Sequence, residues 1–199
     1  MIGRAVAFSL ALATVSPAFA AAPATKPVVA KPAAAKPAPQ IDVEKTGAIH
    51  SLAVFLNCAH YGADVSGARA WIAQSGLKEA PADLAKPFLM GKPGKVYGGS
   101  GDTGDLVIAS RDNGSCTVFV GHADGNGIVN AFELWLKQNN FTFKAPKTIK
   151  RKPKSGPETL TRDYSIKGDG GPWHAVITLA EPGKARFEAV MTSYRNTKR

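Results

Sequence analysis

The stretch that most constrains the fold is Leu106 to Gly121, LVIASRDNGSCTVFVG. Two strongly β-prone runs flank Asn113-Gly114, the dipeptide that best meets the two positive φ angles of a type I′ hairpin turn. A two-residue loop sets Asp112 opposite Ser115, Arg111 opposite Cys116, Ala109 opposite Val118 and Ile108 opposite Phe119. Side chains alternate along a strand, so this register puts Val107, Ala109, Cys116, Val118 and Val120 on one face. Leu106, Ile108 and Phe119 fall on the other. Both faces are apolar away from the tip, which predicts a hairpin central to a sheet and covered on both sides.

Helical periodicity precedes it. Ile49, Leu52, Ala53 and Leu56, with Phe55 and Ala59 alongside, predict a helix over 46–60 with Thr46 as its N-cap and Cys58 in its last turn. A second helix is predicted over 65–75, capped by Asp64 or Ser66, stopped by Gly76, and burying Val65, Ala68, Trp71 and Ile72. A helical turn from Pro81 is expected to end near Lys86, because a residue before proline is biased out of the helical region. Residues 95–99 read as a strand. The glycine-rich 98–105, GGSGDTGD, reads as a loop joining strands. It lacks the Gly-Lys-Ser/Thr and following helix of a phosphate cradle, and Asp102 and Asp105 are too few carboxylates for a calcium loop.

After the hairpin, Ile128, Ala131, Phe132, Trp135 and Leu136 form one helical face, capped by Asp124 or Asn126 and ended by Asn139-Asn140. Phe141 and Phe143 then fold back on the core. Three strands follow. Leu160, Arg162, Tyr164 and Ile166 share one face of the first, and Trp173, Ala175, Ile177 and Leu179 one face of the second. Glu181-Pro182-Gly183-Lys184 has the residues of a type II turn, and 185–194 returns with Phe187, Ala189 and Met191 on one face. The order ααβββαβββ with hairpin-length loops predicts an α+β domain: antiparallel sheet built from two three-stranded meanders, with helices packed on it.

The N-terminus has a different character. Arg4, the apolar run 5–15 and Ala18-Phe19-Ala20 have the layout of a secretory signal, predicting cleavage after residue 20 and a periplasmic or secreted protein. The apolar run is too short to span the roughly 30 Å hydrocarbon core of a bilayer, and no later segment approaches that length. Residues 21–39 are reduced to Ala, Pro, Val, Thr and Lys, a composition that cannot bury enough apolar surface to offset ordering. They are expected to be a disordered spacer before a single domain over 40–199. In an exported chain, its two cysteines, Cys58 and Cys116, are expected to form a disulfide.

Of the formal charge of +10, little belongs to residues 40–143, which carry 8 basic and 10 acidic side chains; residues 144–199 carry 13 and 5. Lys144, Lys147, Lys150, Arg151, Lys152 and Lys154 fall within eleven residues without an acid, and Pro146, Pro153 and Gly156-Pro157 predict a basic loop over 144–157. These six are the candidate contacts for an acidic envelope polymer, an anionic membrane surface or a protein partner. No aromatic residue interleaves them for base stacking, and export argues against nucleic acid as the partner in the cell.

Catalytic patterns are thin. No Gly-x-Ser-x-Gly elbow occurs, and Cys58-Ala-His60 has only one further cysteine to complete a metal set. Asp102, Asp105, Asp112 and Asp124 offer carboxylates, but aspartates are common in turns and caps. No cofactor fingerprint appears. The reading is therefore a non-enzymatic binding or accessory domain of the bacterial cell envelope; the rival is an envelope hydrolase using loop carboxylates or histidines, with Asp102, Asp105 and His122 lining an acidic cleft.

Overall fold

The computed structural model describes residues 43–62, 64–101, 104–154, 156–168 and 171–195. The expected signal, the spacer and Asp102 lie outside the described residues. The elements are α1 (Val43–Tyr61), α2 (Val65–Gln74), β1 (Lys78–Glu79), α3 (Ala82–Leu89), β2 (Gly94–Gly101), β3 (Gly104–Arg111), β4 (Cys116–Val120), α4 (Gly125–Gln138), β5 (Thr142–Phe143), β6 (Lys147–Arg151), β7 (Thr159–Gly168), β8 (Gly171–Ala180) and β9 (Ala189–Tyr194). The strands form one antiparallel sheet in the order β1-β2-β3-β4-β9-β8-β7-β5, with β6 also paired to β7. The fold is α+β. The meanders β2-β3-β4 and β7-β8-β9 join through β4 and β9, so α4 carries the chain from the middle of the sheet to its far edge.

The hairpin register differs from expectation by one residue. Ser110 pairs with Cys116, Ile108 with Val118 and Leu106 with Val120. The Gly114 amide donates to Arg111 O at 3.0 Å, the Arg111 amide donates to Ser115 O at 2.9 Å, and Gly114 has φ +80°. Asp112-Asn113 thus form the centre of a turn and left-handed Gly114 adds a bulge, a three-residue loop that the same Asn-Gly dipeptide also satisfies. One residue of slip turns a whole strand over. Leu106 and Ile108, rather than Val107 and Ala109, therefore share the Cys116–Val118–Val120 face. That face packs on α1, α2 and α4, while Val96, Val107, Ala109 and Phe119 pack on α3 across the sheet.

Cys58 and Cys116 are joined, with Cα atoms 5.9 Å apart, tying α1 to β4. This link orients α1: Ala48, Ser51, Leu52, Phe55 and Cys58 are buried, whereas Ile49 and Ala53 are exposed. The helix already includes Val43, so Thr46 is inside it and is not its cap. Asp64 and Asp124 do cap α2 and α4, accepting from Gly67 N at 2.9 Å and Gly127 N at 3.0 Å. α3 runs through Pro87 to Leu89 instead of ending before it. Pro87 cannot donate to the carbonyl four residues before it, but the next turn still closes, with the Met90 amide donating to Lys86 O at 3.3 Å.

The glycine-rich 98–105 is mostly strand: Gly98 through Gly101 continue β2 and pair across to Val107 through Gly104. Backbone ladders need no side chain. β7 and β8 follow the expected alternation, with Tyr164, Ile166, Trp173, Ala175, Ile177 and Leu179 buried under α4 and α1. Residues 185–188 turn instead of extending β9, so Phe187 packs with Phe88 and Phe119 on the α3 side, opposite Ala189 and Met191. The Glu188 carboxylate holds this turn, accepting from Gly183 N at 2.6 Å and Ala123 N at 2.8 Å.

Candidate functional site

The basic run is a strand, not a loop. Lys147–Arg151 form β6, paired antiparallel with Thr159–Asp163 of β7 at the edge of the sheet. Prolines on either side did not prevent this: Pro146 precedes β6 and Pro153 follows it, so neither withdraws a donor from the ladder. Its register puts Lys147, Ile149 and Arg151 on the face of Asp163, Thr161 and Thr159, and Thr148 and Lys150 on the helix-covered face. Lys144, Lys147, Lys150, Arg151, Lys152 and Lys154 are all exposed. The charges form a ridge fanning to both sides of one edge. Lysines on an edge strand also discourage pairing with another chain, which gives the run a structural role besides any binding role.

A second site was hidden in residues assigned to the core. α4 ends in a Schellman motif: Phe141 N donates to Leu136 O at 2.9 Å and Asn140 N to Lys137 O at 3.2 Å, with Asn140 left-handed at φ +57°. The apolar contact that accompanies such an end is the stack of Trp135 on Phe141, centroids 5.0 Å apart. Phe141 lies so close to Gly168 that any Cβ there would run into its ring. Across from this pair, α1 ends at Tyr61 and is followed by left-handed Gly62, where the absence of a Cβ leaves room for the Arg195 guanidinium. Between them is a cavity of about 600 Å³ lined by Leu56, Ala59 and His60 of α1, Trp135, Asn139, Asn140 and Phe141, Gly168 and Gly171 of the β7–β8 hairpin, Trp173 and Arg195. The signal was present in the sequence as two tryptophans and a phenylalanine beside Asn-Asn, but helical and strand periodicity alone assigns such rings to the interior.

Among the described residues the candidate catalytic groups do not converge. Asp112 pairs with Arg69, and Asp124 is occupied as the α4 cap. Asp105 lines a shallow pocket beside Gly98, Gly99 and Arg186. His122 is exposed in a left-handed turn and His50 is exposed on α1. His174 stacks on Tyr194 with centroids 5.0 Å apart, and its Nδ1 lies 3.5 Å from Ser165 Oγ and 3.9 Å from Asp163 Oδ1. Both approach the same ring nitrogen, so the three do not form a relay from nucleophile through imidazole to carboxylate. Among the described residues, no three His, Cys, Asp or Glu side chains come together as a metal site. No helix among them is long and apolar enough to cross a membrane. In comparisons with known proteins, no family model, no curated protein and no solved structure matches the chain.

Proposed function

We propose that this protein is an exported, periplasmic binding or accessory domain of the cell envelope that engages an acidic polymer through its basic edge. The observation that carries the reading is the exposed β6 ridge, Lys144 to Lys154, on a domain whose preceding segment is slightly acidic. At about 3.4 Å per residue the five residues of β6 extend roughly 17 Å. A linear polyanion lying along that edge meets both the Lys147–Arg151 row and Lys150. A flat bilayer offers phosphates to only part of the fan, so the polymer is the better partner. The signal-like N-terminus and the Cys58–Cys116 disulfide support export.

The hydrolase reading has less behind it, because Asp112 and Asp124 serve an ion pair and a helix cap. The test is co-sedimentation of the mature protein with an insoluble acidic polysaccharide, and with anionic and zwitterionic vesicles, at low and physiological salt. Retention by the polysaccharide at low salt and release at physiological salt supports the reading. No retention at low salt overturns it, and preference for anionic vesicles over the polysaccharide reassigns the partner.

A further inference from the structure

We propose that the cavity between the C-terminal ends of α1 and α4 binds a saccharide, at a site separate from the basic edge and not dependent on its function. The cavity is well within the size of small-ligand sites, and its lining combines rings with polar groups. Trp135 and Phe141, stacked on each other, and Trp173 line it with aromatic surface, and the electron-rich faces of such rings suit the weakly positive C–H groups of a pyranose ring. Asn140 brings an amide, which both donates and accepts, the pairing that neighbouring sugar hydroxyls require.

Other ligand classes fit less well. A wholly apolar ligand would set carbon against Asn140, an exposed polar residue of the lining, at a cost in lost hydrogen bonds to water. A cationic ligand would be drawn by the aromatic rings and by the negative ends of two helices. Arg195, seated against Gly62 at the end of α1, already places a cation there, and among the described residues no carboxylate lines the cavity. A polyhydroxylated ring meets both the aromatic and the polar residues of the lining.

The choice of Asn140 also points this way. Glycine is the usual residue at that left-handed position and asparagine the next, and here the asparagine is one of the residues lining the cavity. Asn140→Gly therefore separates binding from folding, since it should hold or raise Tm while removing the amide.

The experiment is a tryptophan-fluorescence titration of the mature protein with chitotetraose, cellotetraose and maltotetraose, at low and physiological salt. At least one should saturate with a Kd at or below roughly 1 mM. The affinity should be the same at both salt concentrations, because no ion pair forms. Asn140→Gly should weaken it about 3- to 10-fold, the worth of a net hydrogen bond, with Tm unchanged or higher. Trp135→Ala should abolish it. If none of the three sugars saturates, or if Asn140→Gly binds as wild type does, the proposal is wrong.

Discussion

Arg111 of β3 donates to the carbonyl oxygen of Phe88 at 3.0 Å, so a strand residue closes the C-terminal end of α3. The same guanidinium reaches Leu89 O at 3.4 Å and Thr117 Oγ1 at 2.9 Å, and Thr117 shares a 3.0 Å hydrogen bond with Thr192 on β9. A positive group at a helix C-terminus offsets both the dipole and the unpaired carbonyls there. Arg111 is only 6% exposed, and burial lowers its pKa.

Arg111→Met keeps the stem and removes the donors, leaving the α3 carbonyls and Thr117 short of partners. The expected loss is about 2–3 kcal/mol, read from urea denaturation. Hydrogen exchange should localise the loosening to 82–90. A change under roughly 0.5 kcal/mol, the range of ordinary surface substitutions, would contradict the assigned role.

The Cys58–Cys116 bridge spans 58 residues of sequence and fixes which face of α1 meets the sheet. Replacing both cysteines with alanine should cost about 2–4 kcal/mol, chiefly by freeing the unfolded chain. Non-reducing peptide mapping should recover the linked pair from the exported protein. Two free thiols would refute the link.

Tyr164 is fully buried, and its hydroxyl donates to Glu133 Oε1 at 2.9 Å. Burial first, and then the Glu133 carboxylate, hold its pKa well above the usual tyrosine range. The unfolded chain releases this proton near pH 10 while the folded protein retains it. Its contribution to stability is therefore complete below about pH 10 and falls as pH rises beyond that. Tm should decline from about pH 10 upward, and Tyr164→Phe should flatten the decline. Tyr97 and Tyr194, also raised by burial, should leave a remainder. Parallel declines in wild type and variant would show that Tyr164 is not responsible.

How far the residues themselves disclose this architecture depends on how many environments each pattern fits. The alternation Trp173-Ala175-Ile177-Leu179 has one sensible burial and finds it; so do the caps Asp64 and Asp124. Asn113-Gly114 fits two turns, and the bulged one moved every pair by a residue. α1 is apolar around much of its circumference, so only the tie to Cys116 selects Leu52 and Phe55 over Ile49 and Ala53. β1, β5 and β6 lie toward the edges of the sheet, where Lys78 and Lys147 can stay in water and no alternation marks a strand. The cavity depends on the Schellman turn bringing Phe141 back to Trp135, a relationship of backbone geometry and not of spacing.

The central claim is that the exposed β6 ridge binds a polyanion electrostatically, and salt dependence tests it most directly. Affinity for one acidic polysaccharide is measured across a salt series for wild type and for the variant with Lys150, Arg151, Lys152 and Lys154 changed to glutamine. Exposed charges are screened beyond about 8 Å at physiological ionic strength. Wild-type affinity should therefore fall steeply with salt, while the variant binds little at any salt and keeps the wild-type Tm to within a few degrees. Equal affinities and equal salt slopes for the two proteins would contradict the claim and leave the lysines as guardians of a sheet edge.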